Sequence, residues 1–214
     1  FSQSFAADGG DKLFFNVRSY GAVGDGKNLD SPAIDKAIQA AADAGGGTVY
    51  IPSGHYLSGT IHLLSNIHLL IDTGATIQAA PQNMNAYDEP EHWEGTAYQD
   101  GGHTYFRNSL IYGEGLTNIS ITGFGMIDGS ALSAGDGQQD AVDGFKNWEH
   151  PEQANTNSNV KLARLGNKAI ALKLCRNVVL RDFTVFRGGH FAILTTGCDN
   201  MTVDNVTMDT NRDG

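Results

Sequence analysis

A chain of 214 residues, 40% of them hydrophobic, can bury a sizeable core and lacks the polar, low-hydrophobicity signature of disorder. Its formal charge of −10 excludes the basic footprint that nucleic-acid binding demands, and no apolar run approaches the roughly 20 residues of a membrane span. With 27 glycines beside 5 prolines, the composition favours short strands joined by tight turns over long helices.

The chain opens at Phe1, without a methionine, on a polar, Gly-rich lead from Ala6 to Asp11. This start fits an end left after removal of an export signal, which would place the protein outside the cell or in the periplasm, and equally an arbitrary cut. Ser31 is a candidate helix N-cap with Pro32 at the first helical position. Ile34, Ala37, Ile38 and Ala41 form an apolar stripe that ends at Gly45-Gly46-Gly47. A solenoid needs such a helix over its first coil, because an open coil leaves unpaired amides and bare core.

Four later segments share one register, around Asn66, Asn118, Asn177 and Asn200. Each Asn is followed by an apolar residue (Ile67, Ile119, Val178, Met201) and another two positions on (Leu69, Ile121, Leu180, Val203). The pattern is that of half-buried strands turned at Asn. Asn177 and Asn200 are 23 residues apart, one coil. The interval from Asn66 to Asn118 reads as two such steps plus an insertion at 81–108, and a second insertion occupies 129–167. Cys175 and Cys198 are also 23 apart, hence at one position in successive coils, where they form either a disulfide or a pair of stacked thiols. The fold class is therefore all-β, a right-handed parallel β-helix with an N-terminal capping helix. It reads as one domain: an extension at 1–14, the cap at 15–58, and coils at 59–214 that stop before the fold is finished.

The stretch Tyr20-Gly-Ala-Val-Gly-Asp-Gly26, the helix, and Gly45-Gly-Gly-Thr-Val-Tyr-Ile-Pro52 resemble the opening of pectate-lyase-like β-helix proteins. More specifically, Asn118 to Gly129, Ala169 to Val178 and Asn211-Arg-Asp-Gly214, in that order and spacing, resemble glycoside hydrolase family 28. The resemblance implies hydrolysis of pectin-type glycosidic bonds by an inverting carboxylate mechanism. It also implies that Asp213, in an Asn-x-Asp-Gly motif, is one of three catalytic carboxylates, with Asn211 beside it in substrate binding. The family's Asp-Asp and Gly-His motifs would follow one and two coils later, beyond Gly214. Arg212 stands where the family more often has a small residue; in an extended strand it points away from the face that Asn211 and Asp213 share.

His190 lies 23 residues before Asp213, at the equivalent position of the preceding coil. It is a candidate to bond a sugar hydroxyl or a uronate, or else a solvated surface histidine. Arg187, in the Arg-Gly-Gly-His turn, is a candidate local cation for an acidic substrate or a solvated corner. The aromatics Tyr87, Trp93, Tyr98, Tyr105 and Phe106 either stack sugars or, as the favoured reading, pack their insertion down, and His62 and His68 read as structural. No Cys/His metal spacing or phosphate loop occurs, so neither metal nor cofactor is expected; the expected partner is a polysaccharide. A tailspike-like carbohydrate-binding module and a uronate lyase are the alternatives.

Overall fold

The computed structural model of the protein describes residues 14–91, 105–133 and 166–209. Its strands follow in chain order as β1 (Phe14–Asn16) and β2 (Asp25–Leu29), helix α1 (Ser31–Asp43), then β3 (Gly47–Ile51), β4 (Gly54–Ser58) and β5 (Ile61–His62). The next coil is β6 (Ile67–Ile71), β7 (Ala75–Ala79) and β8 (Ser109–Glu114), and the one after is β9 (Thr117–Thr122), β10 (Met126–Asp128) and β11 (Lys168–Lys173). Then come β12 (Arg176–Arg181), β13 (Thr184–Phe186), β14 (Phe191–Thr196), and finally β15 (Asp199–Asp204) and β16 (Thr207–Asp209).

From β3 on, every third strand joins the same sheet. The first sheet runs β1-β3-β6-β9-β12-β15, the second β2-β4-β7-β10-β13-β16, the third β5-β8-β11-β14, and every pairing is parallel. This is a three-sheet parallel β-helix, wound in the right-handed sense that parallel crossovers take.

The interior is filled by columns of like side chains. Val49, Leu69, Ile121, Leu180 and Val203 stack along the first sheet, Tyr56, Ile77, Ile127, Val185 and Met208 along the second, and Ile61, Ile111, Ile170 and Ile193 along the third. Each buried member contributes about 1.5–3 kcal/mol relative to exposure. Val203 and Met208, on the last described coil, are the half-exposed members.

The turn asparagines form a continuous ladder. Asn66, Asn118, Asn177 and Asn200 all adopt φ between 53 and 63°, a left-handed conformation that Asn tolerates better than most residues. The side-chain amides of Asn118, Asn177 and Asn200 donate to the side-chain Oδ1 of the Asn one coil before, at 2.9, 2.8 and 2.8 Å. Beneath Asn66 the place is held by Gly46, at φ 123°, where a Cβ would lie 2.6 Å from the Asn66 carbonyl oxygen. The ladder also corrects the spacing read from sequence. Asn118 bonds Asn66 directly and β6 pairs with β9, so one coil, not two, separates them.

Helix α1 covers the open end of the first coil with Ile34, Ala37, Ile38 and Ala41, all buried. Its N-cap is Asp30, not Ser31. The buried Asp30 carboxylate accepts the amides of Val23 and Gly24 at 2.7 and 3.0 Å, holding the preceding Gly-rich turn. Ser31 is the first helical residue, and its hydroxyl accepts from the Gly59 amide at 3.2 Å. Burial against the first coil turns both polar side chains toward loops whose amides need partners, rather than toward the helix's own first turn.

Candidate functional site

Of the residues singled out by sequence, Arg187 and His190 lie at the corner that feeds the third sheet. There Asn108, Asn167 and His190 form one column: the Asn167 amide donates to the Asn108 carbonyl at 3.0 Å, and the His190 amide to the Asn167 carbonyl at 2.9 Å. His190 is half-buried, its ring edge-on to Phe191 with centroids 4.3 Å apart. Asn211, Arg212 and Asp213 lie outside the described residues, so the placement expected of Asp213 beside His190 rests on the 23-residue step alone.

Arg187 sits at the entrance of the same corner, in the left-handed region at φ 50°. Its guanidinium lies 5.1 Å from the centre of the Phe186 ring, and its amide donates to the Asp209 carbonyl at 2.9 Å. Between Arg187 and His190 the chain has no room for side chains. A Cβ on Gly188 would approach the Ala192 Cα to 2.2 Å, and one on Gly189, at φ 76°, the Asn167 carbonyl oxygen to 2.8 Å. The two glycines thus bring Arg187 and His190 to either side of one tight turn.

Lys168, one residue after the Asn167 column, was not among the sequence candidates. It is fully buried, in register between Ser109 and Phe191. Its ammonium donates to the Tyr105 carbonyl at 2.6 Å and to Asn167 Oδ1 at 3.0 Å. A buried ammonium is tolerated only when its protons are taken up in this way. The signal was in the strand: Lys168 alternates with Ile170 and Leu172, the parity of the interior.

The first arm of the 81–108 insertion straps this corner. Gln82 makes a two-way bond to Gly166, accepting from its amide at 2.9 Å and donating to its carbonyl at 3.0 Å, and also donates to the Ala131 carbonyl at 2.6 Å. Tyr87 is buried against Gly166, with its hydroxyl donating to the Ala80 carbonyl at 2.8 Å. Phe106 is buried too. These two aromatics pack the insertion down; Trp93 and Tyr98 lie outside the described residues. Glu91 closes the arm by accepting the amides of Phe106 and Arg107.

His62 links this strap to the cap. Its Nδ1 is 2.8 Å from an Asp35 oxygen on α1, and its Nε2 is 2.8 Å from an Asp88 oxygen in the insertion. Bonding to Asp35 and then Asp88 raises the imidazole to about 10, against the opposing effect of burial. The group is therefore an imidazolium that donates from both nitrogens. His68 is the opposite case, held below its ordinary value by burial and set between the hydroxyls of Thr48 and Thr122 at 3.3 and 2.6 Å. Both histidines are structural in their contacts, as read. Further along the third sheet, Glu114 accepts from the Tyr112 hydroxyl at 2.6 Å and pairs with Lys173 at 2.9 Å, which hold its carboxyl below the usual range. Among the described residues no three His, Cys, Asp or Glu side chains gather as a metal site, and no helix is long and apolar enough to cross a membrane.

Comparison with known proteins places these features in a lineage. A stretch 33% identical over 164 residues is shared with mannuronan C5-epimerase AlgE3 of Azotobacter vinelandii, covering 74% of this chain and 8% of that protein. A probable polygalacturonase of Vitis vinifera is 32% identical over 118 residues, covering 51% of this chain and 23% of that one. The exopolygalacturonase of Thermotoga maritima superposes with a TM-score of 0.65 at 24% identity, over 91% of this chain and 46% of that one, a likeness of fold. The chain thus spans less than a quarter of both sequence relatives. Residues 14–214 match the family described as rhamnogalacturonase A/epimerase, pectate lyase-like, and the three-sheet coil, the capping helix and the asparagine-turned strands agree with that match: the chain belongs to this family.

Proposed function

We propose that the whole protein is an exported glycoside hydrolase of family 28 type that cleaves pectic polysaccharide with inversion. The observation that carries the reading is the column Asn108, Asn167, His190 at the head of the third sheet, which the 23-residue step continues to position 213. On this reading Asp213 is a carboxylate that activates water, Asn211 and His190 bind sugar hydroxyls, and Arg187 offers local positive charge to a uronate. An inverting pair of carboxyl groups stands roughly 6.5–9.5 Å apart, leaving room for the attacking water. No metal or cofactor enters this mechanism.

The kinship with a mannuronan C5-epimerase favours a second reading, in which the site exchanges a sugar proton without breaking the chain. The protein should be assayed on polygalacturonate and on mannuronan. Reducing ends of inverted configuration by NMR, without ultraviolet absorbance of an unsaturated uronate, support hydrolysis. Unsaturated ends indicate a lyase, altered uronate composition without scission indicates an epimerase, and retention on the polymer without turnover indicates a binding module. In the hydrolase, Asp213→Asn should lower turnover by about 10²–10⁴ with an unchanged melting temperature.

A further inference from the structure

We propose that Cys175 and Cys198 form a two-thiolate site for a soft monovalent cation of the silver(I) or copper(I) class. Both cysteines are unpaired and stand at the corner between the third and first sheets. The strand pairs on either side fix them in register, Lys173 against Thr196 and Arg176 against Asp199.

Their environments repeat. The Cys175 thiol lies 3.6 Å from the Gly113 carbonyl of the coil before and 3.3 Å from the Lys173 carbonyl of its own coil. The Cys198 thiol lies 3.6 Å from the Leu172 carbonyl and 3.7 Å from the Thr196 carbonyl, the same two positions one coil on. Side chains that repeat one orientation along the axis hold their sulfurs about one strand spacing apart, roughly 4.8 Å. A disulfide needs about 2.05 Å and Cβ atoms closer than about 4.5 Å, so closing one requires a cysteine to rotate out of this arrangement. Two metal–thiolate bonds in line, at about the 2.3 Å of a zinc–thiolate bond, span about 4.6 Å, close to the spacing that the repeated orientation implies. Tetrahedral or oxygen-seeking ions would need further ligands, and none cluster with the pair among the described residues.

Cys175 is buried and Cys198 half-exposed, which gives the ion an outer ligand to meet first and an inner one to close on. Burial pushes the Cys175 thiol up, and the neighbouring Cys198 pushes it further, so the ion meets Cys175 as a thiol. Binding is therefore an exchange: two S–H bonds break, two sulfur–metal bonds form, and two protons leave to solvent as the cation enters. The product is a bis-thiolate carrying one negative charge, with no change of oxidation state.

The test is titration of the reduced protein with silver(I) in chloride-free buffer without oxygen. One ion per chain should saturate it, releasing two protons and protecting both cysteines from a thiol reagent. Cys198→Ser and Cys175→Ser should each weaken binding by more than about 100-fold. Should Cys175→Ser fail to fold, Cys198→Ser decides alone, since its position is half-exposed. Uptake of two ions per chain, protection of Cys198 alone, or unchanged affinity in Cys198→Ser would overturn the proposal. So would rapid closure to a Cys175–Cys198 disulfide by a small disulfide oxidant, because that outcome contradicts the spacing.

Discussion

Replacing His62 by Gln keeps a hydrogen-bonding side chain between Asp35 and Asp88 but removes the positive charge that both carboxylates face. The folded-state imidazole is raised to about 10 from an ordinary 6.5. Without solvent screening that difference is worth about 5 kcal/mol. The His62 side chain is 43% exposed, however, and its partners 30% and 38%, so solvent screens the pair and a contribution of about 1–2 kcal/mol is the working figure. Because the folded value lies above the unfolded one, this stability is fully present below about pH 6.5 and is lost as the pH rises through about 10. Tyr112, the register neighbour of His62 on β8, does not confound the window, since burial and its bond to Glu114 raise its hydroxyl well above the ordinary tyrosine range. Melting of wild type and His62→Gln should be compared at pH 6 and pH 10. The variant should melt about 2–8 °C lower at pH 6, and most of that gap should close at pH 10. A gap that stays constant across the two pH values would refute the imidazolium clamp and leave His62 a packing residue.

In the asparagine ladder, Asn177→Ala should cost about 2–3 kcal/mol by denaturant unfolding, because it removes bonds to Asn118 and Asn200 and strains a residue at φ 57°. Asn177→Gly removes the same bonds but keeps the backbone at ease and should cost less than the alanine change; the reverse order would refute the backbone-strain argument. Leu174 occupies a corner at φ 55° that glycines hold in the coils before and after, Gly115 at 68° and Gly197 at 62°. As its side chain is largely exposed, Leu174→Gly should be neutral or stabilising by up to about 1 kcal/mol, and clear destabilisation in a thermal melt would count against the strain argument. Lys168→Met preserves length but leaves the Tyr105 carbonyl and Asn167 Oδ1 without their donor, so unfolding should show a loss of about 1–3 kcal/mol.

Much of this architecture is legible in the sequence, because a solenoid is built from local rules repeated. The alternation after each Asn gives the strand faces, the 23-residue step gives the stacking of Cys175 on Cys198, and the apolar stripe from Ile34 to Ala41 gives the cap. What tertiary structure alone decided are the cases where a partner far along the chain sets a side chain's role. A linear spacing of 52 residues between Asn66 and Asn118 does not say how much belongs to the coil and how much to the insertion; direct pairing of β6 with β9 does. Ser31 has every local mark of an N-cap, yet the Gly59 amide and the Val23 and Gly24 amides compete for it and Asp30, and burial rewards those bonds more. His62 is an ordinary histidine in sequence and an imidazolium in the fold, because Asp35 and Asp88 meet it only once the helix and the insertion close over β5. Burial and electrostatic pairing are properties of three-dimensional neighbours, and for Ser31, His62 and Asn118 those neighbours lie more than 25 positions away.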